Sequence, residues 1–287
     1  MENMTNQSNI IYFGLNRKLT MQNIRKFQTI IYDYYRNNKR DLPYRTTNNP
    51  YHILISEIML QQTQVERVND KYLQFISEFP DFKVLANAPV SQLLKMWQGL
   101  GYNRRALSLQ KAAQIVVKEY QENLPESEEE LQKLPGIGPY TAAAICAFAF
   151  NKPTTVIETN IRAVYIHFFF HDKKNISDAE LIPLIEKTLD RKNSKEWYYA
   201  LMDYGVMLKK TTLNPTRKSA HYYKQSKFEG SNRQLRGRIL KVLIAKDGIS
   251  EDELYSAVKA DKENIHKNLE QLEKEGFIKR KAKISLA

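Results

Sequence analysis

The spacing of apolar residues is the feature that most limits what this chain can fold into. From residue 23 almost to residue 275, apolar side chains recur at the interval of an amphipathic helix, and the alternating pattern of strands is nearly absent. Proline and glycine mark short loops between these segments. The pattern predicts an all-α body with helices over 23–38, 51–61, 64–79, 90–97, 104–121, 128–133, 139–150, 158–170, 178–190 and 194–209.

Three other segments differ in character from this body. Residues 1–22 are polar and irregular and predict a flexible leader, and the basic residues 210–232 predict a linker or an extended arm. Residues 233–287 predict a small α+β module with three helices, of which the second begins with a capping box of Ser250 and Glu253. The closing sequence FIKRKAKISL alternates like a strand or hairpin. The module is winged-helix-like, with a third helix suited to the major groove; alternatively, it only braces the body.

The charge balance favours an anionic partner. The chain carries 44 Lys and Arg against 32 Asp and Glu, a formal net charge of +12, and nucleic acid is the commonest partner of such proteins. A basic charge without functional meaning is the alternative. The cations of the predicted wing favour contact with DNA; they are Lys279, Arg280, Lys281 and Lys283.

Cysteine content and hydropathy limit which cellular compartment and which cofactors are expected for this protein. The single cysteine, Cys146, lies in an apolar run and permits neither an internal disulfide nor a cysteine-built metal cluster. No apolar stretch reaches the ~18–20 residues that span a bilayer, and the first residues lack the pattern of a secretory signal. We expect a cytoplasmic monomer, associated with the nucleoid if the source is prokaryotic, without metal or other cofactor.

The segment LPGIGPYTA, from Leu134 to Ala142, predicts a hairpin that holds phosphate. Gly136 and Gly138 permit positive φ and a close approach of another chain, while Leu134 and Ile137 would anchor the two arms. An apolar helix follows, and the free N–H groups at a helix N-terminus form a ready anion site. The segment resembles a helix-hairpin-helix, which holds DNA phosphates without reading bases.

Four sequence blocks together are similar to one enzyme family: LPYR (42–45), SEIMLQQTQV (56–65), WQGLGYNRRA (97–106) and LPGIGPYTA (134–142). They resemble the helix-hairpin-helix DNA glycosylases, most closely the A/G-specific adenine DNA glycosylases of the MutY type. VIETNIRAV (156–164) and LMDYG (201–205) match more weakly. The resemblance implies a glycosylase domain over 23–209, built of two helical subdomains with a base pocket in the cleft between them. It also implies base excision repair on double-stranded DNA that carries a mismatched or damaged base.

The sequence departs from this family at three places. The family usually holds an iron–sulfur cluster on four cysteines just after the LMDYG position, whereas residues 209–223 contain none. The catalytic aspartate of the family falls on Glu158, which is one methylene longer. The usual C-terminal domain that reads 8-oxoguanine is not recognisable. The first departure leaves catalysis plausible, and the other two leave the identity of the lesion open.

Breaking an N-glycosidic bond requires a proton for the departing base and stabilisation of the positive charge on the sugar. Glu57, in an apolar stretch that would favour its protonated form, matches the acid that protonates adenine N7. Glu158 matches the carboxylate that faces the sugar, and Asn160 the residue that positions water or sugar. Either glutamate is alternatively a helix-surface or capping residue. Tyr140 stands where bifunctional relatives carry a nucleophilic lysine, so the resemblance implies base removal alone.

Further residues match DNA and base contacts of the family. The positions that touch the target base are Tyr44, Arg45 and Asp203; a packed aromatic, a surface arginine and a helix cap are the alternatives. The wedge and partner-strand readers, needed once a base is flipped out, are Gln62, Thr63, Leu100 and Tyr102. Arg104 and Arg105 are candidates for backbone phosphate or for a solvated helix start. The hairpin adds Gly136, Gly138 and Thr141.

The leading function is therefore a monofunctional glycosylase that removes adenine opposite guanine or 8-oxoguanine. A glycosylase for thymine or uracil opposite guanine is the alternative within this class, because those relatives share the hairpin and its tyrosine. The intact SEIMLQQT block favours adenine, since departure of a purine benefits from protonation at N7. A DNA-binding regulator with a catalytically dead body is the alternative from another class, and the retained pair Glu57 and Glu158 argues against it.

Overall fold

The computed structural model describes Phe13 and residues 19–287. Its helices are α1 (Met21–Asn38), α2 (Pro50–Leu60), α3 (Val65–Glu78), α4 (Phe82–Asn87), α5 (Val90–Trp97), α6 (Arg104–Glu119), α7 (Glu128–Gln132), α8 (Pro139–Phe150), α9 (Thr159–Phe169), α10 (Asp178–Thr188), α11 (Ser194–Thr211), α12 (Asn232–Ala245), α13 (Glu251–Val258) and α14 (Lys262–Lys274). Short 3₁₀ helices lie at Pro43–Arg45 and Pro215–Lys218, and two strands, β1 (Ile278–Arg280) and β2 (Ile284–Leu286), close the chain. The predicted all-α body is confirmed.

Helix α4 was not predicted. It has six residues and begins after Asp81, whose side chain accepts a hydrogen bond from the Val84 backbone N–H at 2.8 Å. A stretch this short between two prolines shows little more than one helical turn of periodicity. The helix packs against α6, so a tertiary contact and a capping aspartate stabilise it.

The first compact unit comprises Met1–Asp41 and Cys146–Lys224. Helix α1 packs against α10 and α11, and α9 packs against α10, α11 and the 3₁₀ helix Pro215–Lys218. Aromatic rings fill its core, with Phe27 against Trp197 in a T-shaped contact at 5.8 Å between centroids. The predicted leader falls outside the described residues except for Phe13 and 19–22, and Phe13 is buried and stacks on Phe169.

The segment predicted as a basic linker differs in structure along its length. Its beginning packs on the first unit, where Thr216 and Ser219 are buried and Ile176 pairs with Ser219 in a parallel bridge. Farther along, the side chains of Tyr223 and Phe228 are exposed. The predicted boundaries at 209 and 232 stay predictions.

The second compact unit comprises Leu42–Ile145 and Gln225–Ala287. Helix α2 packs against α3 and α6, and α5 packs against α3, α6 and α12. Helix α2 is apolar on nearly every side and is buried at Tyr51 and from Ile53 to Met59, as an all-round apolar helix must be.

The C-terminal residues of this unit form three helices and a strand pair. The capping box of Ser250 and Glu253 at the start of α13 is confirmed. Strands β1 and β2 form an antiparallel hairpin in which Arg280 pairs with Ile284, and Ile249 makes a further antiparallel bridge to Ile284. The alternating apolar residues of FIKRKAKISL face the helices, since Ile278, Ile284 and Leu286 are buried. Within the described chain, no helix combines the length and the apolar character needed to cross a bilayer.

Candidate functional site

The predicted hairpin lies between α7 and α8. Gly136 has φ +83°, and a Cβ there would stand 2.9 Å from Ser108 Cβ, so this position requires glycine. Gly138 has no positive φ, which corrects the expectation from the sequence, and a Cβ there would meet no described heavy atom within 4 Å. Leu134 and Ile137 are buried and anchor the hairpin as predicted. The exposed backbone at Gly138 leads directly into the N-terminus of α8.

The hairpin is joined to the loop that follows α2. Gln61 Nε2 donates to the Gly136 carbonyl oxygen at 3.3 Å and to Thr141 Oγ1 at 3.0 Å. Thr141 is buried. Its hydroxyl therefore holds the Gln61 amide, which in turn bonds to the hairpin.

Arg105 holds two loops together, those after α2 and after α5. Its Nη1 donates to the carbonyl oxygens of Ile58, Met59 and Gln61 at 2.6–2.8 Å. These carbonyls lie at the C-terminus of α2, where intrahelical partners run out. Its Nη2 donates to Thr63 Oγ1, Leu100 O and Gly101 O at 2.9–3.2 Å. The guanidinium therefore stabilises the backbone of the two loops. Its Nη atoms bond to protein oxygens, whereas a phosphate contact would require them to face solvent in the free protein.

The two loops carry the predicted wedge and strand readers. Gln62 has φ +53° and Tyr102 has φ +47°, a region that costs non-glycine residues roughly 1–2 kcal/mol. Gln62 is exposed and Tyr102 partly exposed. Leu100 is only 4% exposed, unlike a side chain that inserts into DNA. Thr63 hydrogen bonds to Arg105 and to the Gln61 and Leu100 carbonyls.

Arg104 also has a protein partner. It forms an ion pair with Glu275, which the structure places after α14. Arg233 of α12 donates to the Tyr102 hydroxyl at 2.7 Å. Arg105, Glu275 and Arg233 are functional candidates that sequence reasoning missed or misread. The Arg105 position was visible in the matched block, whereas no sequence signal marks the other two.

Glu57 lies on α2 and is 7% exposed. Its helical neighbours Leu54, Ile58 and Met59 are buried as well. A carboxyl in such surroundings is costly to ionise unless it is hydrogen bonded. The burial predicted for Glu57 is confirmed.

Tyr140 stands in the first turn of α8 and is partly exposed. Tyr44 and Arg45 belong to the 3₁₀ helix Pro43–Arg45. Tyr44 is buried and its ring meets Tyr72 edge-on at 5.6 Å. Arg45 is partly exposed.

Within the first unit, Glu158 is the N-cap of α9. One carboxylate oxygen accepts from the backbone N–H groups of Asn160 and Ile161 at 2.7 and 2.8 Å, and the other accepts from the Asn160 side chain at 3.0 Å. Burial raises the pKa of the Glu158 carboxyl, while these backbone bonds and the cations Lys209 and Arg162 lower it. Glu158 is thus a helix-capping residue, as one of the two interpretations of the sequence had it, and the capping hydrogen bonds fix the orientation of its carboxylate.

Asn160 is held tightly beside Glu158. Gly205 on α11 lies so close that a Cβ there would stand 2.2 Å from the Asn160 carbonyl oxygen. The Asn160 side-chain oxygen is buried without a hydrogen-bond partner among the described residues. An orphaned buried acceptor of this kind is suited to a donor brought by water or ligand.

Asp203, also on α11, is 2% exposed. Its two carboxylate oxygens accept from the Arg40 backbone N–H at 2.9 Å and from Arg40 Nε at 2.6 Å. In this structure the carboxylate fixes the chain after α1. Among the described residues, no group of three or more His, Cys, Asp or Glu is placed to hold a metal ion.

A helical body with this hairpin before α8 defines a helix-hairpin-helix protein, and comparisons with known proteins agree. Residues 55–188 match the HhH-GPD superfamily of base excision DNA repair proteins. An adenine DNA glycosylase of Buchnera aphidicola subsp. Baizongia pistaciae is 37% identical over 63% of this chain and 52% of its own. One of Mycobacterium tuberculosis is 30% identical over 74% of this chain and 76% of its own. The chain belongs to the HhH-GPD superfamily, within its branch of adenine DNA glycosylases.

A solved structure supports the fold. A thermostable thymine-DNA glycosylase aligns with a TM-score of 0.59 and 26% identity, over 66% of this chain and 89% of that one. The chain spans 52% to 60% of the length of the Buchnera relatives that it matches.

Proposed function

We propose that this protein is a monofunctional DNA glycosylase that removes adenine opposite guanine or 8-oxoguanine. The observation that carries the proposal is a buried carboxyl, Glu57, on a largely apolar helix and within residues 55–188, which match the HhH-GPD superfamily.

In the proposed reaction, Glu57 gives its proton to N7 of adenine. The bond between C1′ of the deoxyribose and N9 breaks, and its electron pair leaves with the base. The Glu158 carboxylate stabilises the positive charge that grows on the sugar. Asn160 positions the water whose oxygen then bonds to C1′. The proton that this water loses leaves to solvent, from which Glu57 is protonated again. The product is a free base and an intact strand with an abasic site.

In this proposal, the protein holds DNA through backbone N–H groups and through side chains that insert into the duplex. The exposed backbone at Gly138 and the N-terminus of α8 suit a phosphate, since N–H groups and the helix dipole favour an anion there. The exposed, left-handed Gln62 and the partly exposed Tyr102 are the candidates to fill the gap that a flipped base leaves. The target base contacts assigned to Tyr44, Arg45 and Asp203 stay predictions.

We also propose that the enzyme works without an iron–sulfur cluster. The segment at which the resemblance implies four cysteines contains none, and it does not fit such a group. The 3₁₀ helix Pro215–Lys218 occupies the segment instead, with Asn214 accepting from Thr216. Elemental analysis of the purified protein tests this directly, and stoichiometric iron would contradict it.

A second candidate substrate is thymine or uracil opposite guanine. The likeness to a thermostable thymine-DNA glycosylase is the observation that favours it. A pyrimidine has no N7 to protonate and leaves through N1, so this reaction would depend less on Glu57.

The test is single-turnover excision from duplexes that hold A·G, A·8-oxoguanine, T·G, U·G or matched A·T, followed by alkaline strand cleavage. We expect release from the two adenine mismatches. Release from T·G or U·G alone would select the second candidate, and release from none would contradict the proposal.

The same reactions test the monofunctional mechanism. Tyr140 cannot form a Schiff base, so borohydride is expected to trap no protein–DNA adduct, and strands are expected to break only after alkali. Efficient trapping would show that a lysine elsewhere acts as nucleophile.

A further inference from the structure

Two arginines from distant parts of the chain hold the Tyr102 side chain. The ring lies under the guanidinium of Arg105 at 5.7 Å and under that of Arg233 on α12 at 5.6 Å. Arg233 Nη1 also donates to the Tyr102 hydroxyl at 2.7 Å, and Gln225 donates to the same oxygen. Arg105 belongs to the body, whereas the other two contacts come from residues after 224.

A second contact joins the same two regions of the chain, close to the first. Glu275 forms ion pairs with Arg104, the residue that begins α6, and with Arg236 of α12. Burial opposes the ionisation of Glu275, but the hydrogen bonds from both arginines outweigh it and hold the pKa of the carboxyl below its usual value. Arg233 and Arg236 are three residues apart on α12 and so share one face of the helix.

The loop that receives these contacts does not keep its shape by local preference. Gly99, Gly101 and Tyr102 all have positive φ, between 47° and 91°. Glycine adopts this region freely, but tyrosine does so at a cost that surrounding contacts must offset. Among the described residues, Arg105, Gln225 and Arg233 make contacts with the Tyr102 side chain.

We propose that Arg233 is a positioning residue, through which residues 225–287 hold Tyr102 in the conformation that reads DNA. The inference rests on the proposed function, because Tyr102 is assigned there to fill the gap that a flipped base leaves. It assigns the C-terminal residues a role besides contact with phosphate. Through contacts within the protein, they stabilise the loop after α5 that carries Tyr102.

The free protein tests the structural part of this proposal. Hydrogen–deuterium exchange is measured over residues 99–105 in the full chain, in Arg233→Ala and in Arg238→Ala. Arg238 lies exposed on the same helix and loses the same charge. We expect about tenfold faster exchange in this loop for Arg233→Ala, as the loss of a charge-assisted hydrogen bond predicts, and no change for Arg238→Ala. Equal exchange in all three proteins would overturn the proposal.

DNA with 2-aminopurine beside the mismatch tests the functional part, because this base fluoresces when it is unstacked. Arg233→Ala is expected to reduce the rise in fluorescence on binding. The ratio of affinities for mismatched over matched duplex is expected to fall about tenfold, as the loss of a charge-assisted hydrogen bond predicts. Arg233→Lys keeps the charge but loses the planar, stacked fork, so partial rescue is expected. A loosened loop with unchanged fluorescence and preference would overturn the role of Arg233 in reading DNA. Failure of the wild type to release any base would instead reject the proposed function, while the exchange result stands independently.

Discussion

At the scale of single residues, the guanidinium of Arg105 explains why two loops keep their shape. Burial lowers the pKa of Arg105 to about 10, since its hydrogen-bond partners are neutral oxygens. It stays protonated at neutral pH and can serve all of its acceptors at once. The planar fork of arginine makes this possible, and lysine could not reproduce it. The positions of Gln62 and Tyr102 therefore depend on a residue that need not touch DNA.

The acid assigned to Glu57 is tested by Glu57→Gln. The amide keeps the size of the side chain but has no proton to give, so excision is expected to fall about 10²–10⁴-fold. Single-turnover excision and a duplex binding isotherm are measured on the same protein, and binding is expected to change little. Excision within a few-fold of wild type would show that another group protonates the base.

The charge on Glu158 is tested by the pH dependence of excision. Glu158 is proposed to act ionised, so activity is lost as the pH falls through its pKa. Lys209 lowers that pKa, and Lys209→Met is therefore expected to move the acidic limb of the pH–rate profile to higher pH. Lys210→Met, at an exposed position on the same helix, is the control. If both variants leave the limb in place, the limb belongs to a group other than Glu158.

The residue types in the matched blocks were enough to predict the burial of Glu57 but not the partners of the basic residues. An arginine that binds phosphate cannot be told from the residue type alone from one that binds backbone carbonyls or a carboxylate. Arg105 serves carbonyl oxygens and Arg104 pairs with Glu275, 171 residues later in the chain. Such long-range pairing follows from the packing of helices, and periodicity does not encode it.

At the scale of elements, the hairpin before α8 makes a sharp prediction about its two glycines. Gly138→Ala adds a methyl group into open space, so the free energy of unfolding is expected to stay within about 0.5 kcal/mol of wild type. If a phosphate approaches this backbone, duplex affinity falls several-fold. Gly136→Ala, strained and close to Ser108, is expected to cost about 1–3 kcal/mol. Wild-type affinity in a folded Gly138→Ala protein would place the phosphate elsewhere.

The packing of α9 against α11 gives a second prediction at this scale. A Cβ at Gly205 would overlap the Asn160 backbone, so Gly205→Ala is expected to destabilise the protein by about 1–3 kcal/mol or more and to reduce excision by moving Asn160. Gly237→Ala, in α12 with open space around it, is the matched control and is expected to stabilise by about 0.5–1 kcal/mol. Denaturant unfolding measures both. A Gly205→Ala protein as stable as wild type would mean that the helices separate without cost.

Helices with a long, one-sided apolar pattern were predicted with their ends nearly correct, because caps and prolines fix those ends. The six-residue α4 lacked enough turns to be recognised, and its capping Asp81 alone was too weak a signal. The closing hairpin was predicted because its alternation continues over both strands.

At the scale of the whole molecule, positive charge is distributed unevenly between exposed and paired side chains. In the hairpin of β1 and β2, Arg280 is paired with Glu251 at 2.7 Å, whereas Lys279, Lys281 and Lys283 are exposed. Helix α14, the predicted major-groove element, has one of its lysines in an ion pair, Lys267 with Glu263. The hairpin lysines are therefore the better candidates for binding phosphate within the C-terminal residues.

Replacing these three lysines together tests their binding to phosphate without removing the residues that hold Tyr102. Each lysine that neutralises a phosphate is expected to contribute about 0.9 to the log–log slope of affinity against salt, so a triple Lys→Gln variant at 279, 281 and 283 should show a slope smaller by up to roughly 2.7 if all three bind. A second triple variant, at the exposed Lys174, Lys187 and Lys192 of the first unit, removes the same charge. Salt titrations on a mismatched duplex compare both with wild type. Equal slopes in the two variants would mean that net charge alone acts, and an unchanged slope at 279, 281 and 283 would show that this hairpin does not bind DNA.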